Sequence, residues 1–358
     1  MRRVEQFGGD VVNLSGKSSA GQLLSRYGLL LLTLVLIITF SIVLPHTFPT
    51  SLTARSILDN QATIAMLALA EMLVVIVGEF DLSVGYMIGL WHIVALGLIV
   101  RSGLPWPLAV AIVLAGGLLV GLLNGVLVHV FKIDSFIATL GVGTLGYAAS
   151  NWYTEGEQIS GDLSHSFTEI YSAELFGVPA AAIYVILLAV GLWALLEFTP
   201  TGRYLYALGG NRKAAEITGI RSRRYVIGAF AVAGLIVAFS AVVLASRLQI
   251  GTVSTGPDFL LPVFVGAMLG STTLKPGRPN AFGTLVAVLL LGVGIAGLQQ
   301  LGGTYFIIPL FNGSTLILGV GLAGYASRRI RRARPRLSDE VHAHPDPVLA
   351  GTHPRRPA

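Results

Sequence analysis

The sequence predicts an all-α polytopic membrane protein. It reads as about ten transmembrane helices, N-in and C-in, in two inverted-repeat halves with broken helices. Three observations carry this. Only 12% of its 358 residues are charged, whereas soluble domains carry about 25%. Apolar runs of about 20 residues, enough to cross a bilayer, recur along the chain. The 43 glycines suit helices that approach closely in lipid. Mean hydropathy is +0.75. The chain has no cysteine, which excludes a disulfide, a thiolate zinc site or an iron–sulfur cluster. The net charge of +6 resides in loops and at the C-terminus, as the positive-inside effect requires. Nucleic acid is therefore not an expected partner.

Taken in order, residues 1–26 form a polar cytoplasmic segment. Its Gly16-Lys17-Ser18-Ser19 has the look of the end of a phosphate-binding loop. Val11 stands where the leading glycine is needed, and no apolar strand precedes it, so the motif is rejected. The membrane domain is placed at 27–326, with spans at 27–44, 56–77, 82–100, 108–130, 135–153, 180–198, 225–246, 259–270, 281–301 and 305–326. The first exceeds a signal-peptide core and lacks a small-residue cleavage site, so it is expected to be retained. The eighth rises only ~18 Å at ~1.5 Å per residue. It must recruit Gly256-Pro257-Asp258 or be a half-helix. The 327–358 tail is expected to be disordered and cytoplasmic. His342, His344 and His353 in it are too irregularly spaced for a metal site.

Charge bias sets the orientation. The 154–179 loop is acidic (Glu155, Glu157, Asp162, Glu169, Glu174) and falls outside. The Gly78 loop, the Lys132 loop, the basic loop within 198–225, the Lys275/Arg278 loop and the Arg-rich end from Arg328 fall inside. Arg55, Arg101 and Arg247 are exceptions, and eight or nine spans remain an alternative. Each half carries one Gly-interrupted region, at 78–85 and 256–280, and paired interruptions commonly line a transport pathway.

Three blocks stand out: GEFDLSVG at 78–85, NGVLVHVFKIDSFIATLG from Asn124, and TGRYLYALGGNRKAAEITGI from Thr201. In order and spacing they resemble the permease subunit of bacterial ABC sugar importers of the ribose/xylose class, over about 27–325. The resemblance implies two permease copies joined to two cytosolic ABC ATPases and fed by an extracytoplasmic sugar-binding protein, in the bacterial inner membrane. It implies a monosaccharide substrate, a pentose in the first instance; Glu71 and Glu79 point toward the xylose-like branch. It also implies that the basic loop holds the helix that couples to the ATPase, with Gly210, Asn211, Ala214, Ala215, Glu216, Gly219 and Ile220 matching that block. One departure is the run from Gly270 to Pro279, where Pro276 and Pro279 replace glycines usual in relatives. Proline fixes φ and removes a donor, which predicts a stiffer loop.

The residues themselves favour a conduit over an enzyme. There is no GxxxxGK[ST] loop for a nucleotide, no metalloprotease motif, and no histidine placed to complete a nucleophile set with Ser83 and Asp81. His92 lies on an apolar run and reads as a packed residue. No cofactor or metal is expected. Ionisable groups at membrane depth face protein or water. Asp81 reads either as a cap of the third helix, accepting from Ser83 or Val84, or with Glu71, Glu79, Ser83, Asn124 and Asn151 as part of a sugar path. Asn124 and Asn151 also fit interhelical bonding, and Trp152 fits an interfacial anchor. Affinity should reside in the binding protein, so no deep site is expected here. A short helix at 212–218 should set Ala214, Ala215 and Thr218 on one small-residue flank, which reads as a docking surface or as helix filler. The competing class is a self-contained proton-coupled secondary transporter using Glu71 or Asp81. An integral-membrane enzyme is disfavoured. Membrane lipid surrounds any of these.

Overall fold

The computed structural model describes residues 19–175 and 177–317. The 327–358 tail with its histidines, the Arg-rich end and the Gly16-Lys17 stretch lie outside the described residues. The helices are α1 (Ser19–Val43), α2 (Ser51–Ile76), α3 (Ser83–Val100), α4 (Trp106–His129), α5 (Ser135–Thr154), α6 (His165–Ser172), α7 (Ala180–Phe198), α8 (Pro200–Gly210), α9 (Arg212–Ile217), α10 (Ser222–Leu248), α11 (Leu260–Gly270) and α12 (Ala281–Gln300). A further helix, α13 (Ile307–Ile317), runs to the edge of the described residues. Two small antiparallel pairs complete the chain, β1 (Ile159–Ser160) with β4 (Ile250–Gly251), and β2 (Glu174–Leu175) with β3 (Val178–Pro179). The molecule is an all-α polytopic membrane protein.

Among the described residues, 8 helices are long and apolar enough to cross a bilayer. Helix α5 has 20 residues, but its Gly, Ser, Thr and Asn content makes it less apolar. Helices α2 and α10 form the centre, and α10 packs along α4, α2 and α3. The α4–α10 seam comes straight from sequence: Gly117, Gly121 and Gly125 recur every fourth residue, so they share one face. A side chain at Gly121 would strike the Phe230 carbonyl, and one at Gly125 would meet Ile227 Cα at 2.7 Å. Small residues here let two backbones touch, which in lipid replaces the missing hydrophobic drive. Helix α1, by contrast, leaves Leu34, Val35 and Ile42 exposed, as suits a lipid-facing span.

Several boundaries move. The second helix begins at Ser51, because Thr50 caps it, its Oγ1 accepting from Thr53 N at 3.1 Å. The eighth span is not a bare dozen residues: 3-10 turns Val253–Thr255 and Pro257–Phe259 lead into α11, giving an apolar stretch Val253–Gly270 of 18 residues. Gly256 there lies against α3, where a Cβ built on Gly89 would stand 2.9 Å from Gly256 Cα. The two interrupted regions thus touch, backbone to backbone.

The loops sort into two ends. At one, Arg55 pairs with Glu174, Arg101 Nη1 donates to Tyr153 O at 2.8 Å, and β1 joins β4. At the other, Leu274 N donates to Arg26 O at 2.7 Å, Tyr206 OH to Pro279 O at 2.7 Å and Arg212 Nη2 to Val77 O at 3.1 Å. The first is the acidic-loop end and the second the basic-loop end.

Candidate functional site

The basic loop folds as two short helices. Thr199 and Pro200 start α8, with Gly202 N donating to Thr199 Oγ1 at 3.4 Å. The Gly209-Gly210 pair forms the end of this helix. Gly209 sits on the end of α2, and a Cβ there would overlap the Ile76 carbonyl. Asn211 then breaks the helix (φ −158°) and caps α9, its Oδ1 accepting from Ala214 N at 3.0 Å. Gly219 (φ +88°) closes α9. Gly219 N donates to Glu216 O at 3.0 Å and Ile220 N to Ala215 O at 3.1 Å, the paired closure that a left-handed glycine permits. Glu216 accepts from Ser222 Oγ at 2.5 Å, fastening α9 to the start of α10.

This places the expected coupling residues individually. Gly210 is exposed with open space around it, and Asn211, Ala214, Glu216 and Gly219 are exposed. Ala215 is buried at 5% exposure, so it does not share a free flank with Ala214 and Thr218. The reason is helical phase: the side of α9 that carries Ala215 faces the bundle. The outward apolar residue is Ile217, 87% exposed. The signal for it was present as a lone apolar residue among Lys213, Glu216 and Thr218.

Arg212 reaches from this element into the break between α2 and α3. Its Nη2 donates to Glu79 Oε1 at 2.8 Å and to Val77 O at 3.1 Å. Within the break, amides need partners, since lipid supplies none. Glu79 N donates to Val74 O (3.2 Å), Phe80 N to Ser135 Oγ (3.3 Å), Asp81 N to Glu71 Oε1 (3.2 Å) and Leu82 N to Thr139 Oγ1 (2.9 Å). Asp81 accepts from Ser83 N at 2.9 Å and Ser83 Oγ at 2.5 Å, while Asn124 Nδ2 donates to Ser83 Oγ at 2.9 Å.

Glu71, Asp81, Ser83 and Asn124 therefore form one closed, buried cluster. The space beside Asp81, Ser83 and Asn124 is only about 10 Å³, which holds no sugar in this conformation. Glu79 stands apart from it, on the Arg212 side. Asn151 is elsewhere, donating to Tyr147 O of its own helix at 2.9 Å, and Trp152 is 81% exposed. His92 is buried on α3 and its Nε2 accepts from Thr252 N at 3.4 Å, a packing contact between α3 and the segment that leads into the Val253–Thr255 turn. Among the described residues no group of three His, Cys, Asp or Glu gathers as for a metal.

The proline-containing loop makes contacts that the sequence did not show. Asn280 Nδ2 donates to Gly270 O, Thr273 O and Arg278 O at 3.1, 3.2 and 3.1 Å. Arg278 stacks 3.7 Å over the Tyr206 ring of α8, and Lys275 Nζ meets Glu197 Oε2 at 2.6 Å. Burial pushes the Tyr206 phenol above its ordinary value, against the lowering pull of Arg278. The loop is thus fastened to the end of α7 and to α8.

Comparison with known proteins completes the site. A family model described as the permease component of the branched-chain amino acid transport system matches residues 54–323. The chain is 33% identical over 287 residues to the ribose import permease protein RbsC of Bacillus subtilis (strain 168), covering 80% of this chain and 88% of that one. It is 31% identical to RbsC of Escherichia coli (strain K12), covering 81% and 91%. It is 30% identical to the autoinducer 2 import system permease protein LsrD of Escherichia coli (strain SMS-3-5 / SECEC), covering 82% and 92%. No solved structure matches.

Proposed function

The chain belongs to the branched-chain amino acid transport system permease component family, and from that premise we propose that it is the membrane subunit of an ATP-binding-cassette importer for a monosaccharide. A pentose such as ribose or xylose is the substrate to try first, given the ribose permeases among its relatives. It is a multi-pass protein of the bacterial inner membrane and a transport component, not an enzyme. ATP hydrolysis belongs to a partner chain, sugar capture to an extracytoplasmic binding protein, and two copies of the permease pair in the assembly. In this reading the basic-loop end faces the cytoplasm, and about ten spans run N-in and C-in, the charge bias of the loops supporting that orientation.

The observation that carries the mechanism is the Arg212 contact with Glu79 and Val77. Docking of an ATPase on α9 moves a helix that is held at both ends, by the Asn211 cap and the Glu216–Ser222 bond. Arg212 carries that displacement to the α2–α3 break, and Gly209 carries it to the end of α2. The Glu71–Asp81–Ser83–Asn124 cluster keeps the break ordered, so that it shifts as a unit while the sugar path opens beside it. Gly210, Ala214 and Ile217 offer the outward contact surface; Ala215, Gly219 and Ile220 hold its shape.

The test is co-purification of the chain with its ATPase and binding protein, followed by uptake of a sugar panel. Uptake should stop when ATP is depleted with the proton gradient held. Uptake that follows the gradient instead would establish the competing proton-coupled transporter. Because the chain is free of cysteine, Asp162→Cys reports orientation: labelling from the cytoplasmic face alone would overturn the topology.

A further inference from the structure

We propose that a cavity at the acidic-loop end is a low-affinity binding subsite for a neutral polyhydroxylated ligand, the first place on this chain that an incoming sugar occupies. The assignment rests on the importer reading and deepens it. The cavity measures about 670 Å³ and lies between the first half of α2, the Pro257–Phe259 turn, the end of α12 and α13. Small-molecule pockets span about 300–1,000 Å³.

Its chemistry is what selects the ligand. Asn60, Gln61, Gln299, Gln300 and Asn312 line it, five carboxamides beside the hydroxyls of Thr53 and Ser56, with Asp258 the single charged side chain of the lining and a further acceptor for ligand hydroxyls. An amide offers both a donor and an acceptor without net charge, which matches a ring of hydroxyls better than it matches an ion. Phe259 supplies an apolar face for the C–H side of a sugar ring. Two of the amides lack partners: Gln61 Oε1 and Asn312 Oδ1 are buried and accept from no donor among the described residues. Asn312 is only 2% exposed. A buried acceptor left without a donor is costly, because it has given up water and gained nothing in return. A ligand hydroxyl can donate to both, and an acyl chain of a lipid to neither.

Weak binding is built in. Gln300 Nε2 already donates to Thr53 Oγ1 at 3.0 Å, and Arg247 Nη2 to Asn60 Oδ1 at 2.5 Å. A ligand must exchange these bonds rather than simply add to them. That suits a stage that must release its cargo onward. The cavity also adjoins the turn that leads from Gly256 into α11, where the two interrupted regions touch, so its occupancy bears directly on the segment that must move.

The experiment uses the assembled transporter in membrane vesicles, with Gln299→Cys as the only cysteine. A membrane-impermeant thiol reagent is applied with or without D-ribose, D-xylose, D-glucose or sucrose. At a sugar concentration about ten times its dissociation constant, labelling should slow about tenfold for a sugar the wild type imports and remain unchanged with sucrose. In parallel, Gln61→Leu and Asn312→Leu should lower uptake about fivefold or more at limiting sugar, with ATP dependence and sucrose-insensitive labelling of Gln299→Cys retained. Labelling that no imported sugar slows overturns the subsite while leaving the importer intact. Wild-type uptake that needs no ATP overturns the importer reading itself, and the subsite with it.

Discussion

Arg212 and Glu79 are 133 residues apart in the chain and joined by a 2.8 Å ion pair, which ties the short helix outside the bundle to the break inside it. The pair is partly covered, with side-chain exposures of 31% and 13%. Even a well-formed ion pair open to solvent on one side is worth only about 1 kcal/mol. Arg212 also caps the Val77 carbonyl, so its role is positional more than energetic. Arg212→Ala should lower sugar uptake about tenfold, equivalent to about 1.4 kcal/mol of lost coupling, while ATP hydrolysis by the complex continues. Arg212→Lys should recover only part, because an ammonium lacks the planar fork. Uptake and hydrolysis falling together would show assembly failure, not uncoupling.

Gly209 and Gly210 should separate packing from docking. A Cβ on Gly209 overlaps the Ile76 carbonyl, whereas one on Gly210 meets nothing within 4 Å. Gly209→Val should cost about 1–3 kcal/mol, as overpacking does, seen as a lower unfolding temperature in detergent. Gly210→Val should unfold at the wild-type temperature yet reduce sugar-stimulated ATPase activity. Equal thermal stability for both would contradict the seating of α8 on α2.

These two cases mark how much could be read before the fold was known. The membrane class was legible because lipid imposes a composition and a length, and the abundance of glycine pointed to close helix packing without showing which face of α4 it served. Glu79 and Arg212 were each visible, one as a membrane carboxylate and one as part of a basic run. Their pairing was not visible, since nothing local encodes a partner 133 residues away. The phase of α9 was misread for a different reason: six residues are too few for a periodicity to show which side faces in. Ala215 therefore went to the free flank and Ile217 was overlooked. The closed cluster was half legible: Asp81, Ser83 and Asn124 belong to blocks that stood out, yet only the packing of α2, α3 and α4 shows them sealed together. Asn151 carried the same side chain as Asn124 and the opposite environment.

Glu71 is fully buried, and its Oε1 accepts from Asp81 N at 3.2 Å. Gln keeps an acceptor for that amide and Leu does not. Glu71→Gln should leave uptake within about twofold of wild type, a change of only a few tenths of a kcal/mol. Glu71→Leu should lower stability by about 1–3 kcal/mol, the cost of an unmet buried donor, read as a fall in unfolding temperature. A large drop in uptake for Glu71→Gln at unchanged stability would instead put this carboxylate on the sugar path.

Ile217 is 87% exposed at the end of α9, beyond the last bond that fastens the helix to the bundle. A large apolar side chain held out on a rigid, capped helix loses nothing of the chain's own packing when replaced. It gains burial only when another surface covers it. Full burial of such a side chain is worth about 1.5–3 kcal/mol, and an aspartate there would have to be desolvated as well. Ile217→Asp should insert in the membrane at wild-type levels and unfold at the wild-type temperature. It should nevertheless weaken recovery of the ATPase in a pull-down by about tenfold or more, the equivalent of about 1.4 kcal/mol. Ala215→Asp makes the contrast, since that side chain is 5% exposed against the bundle and its replacement should destabilise the permease alone. If Ile217→Asp retains the ATPase as well as the wild type does, the docking surface lies elsewhere on the basic-loop end.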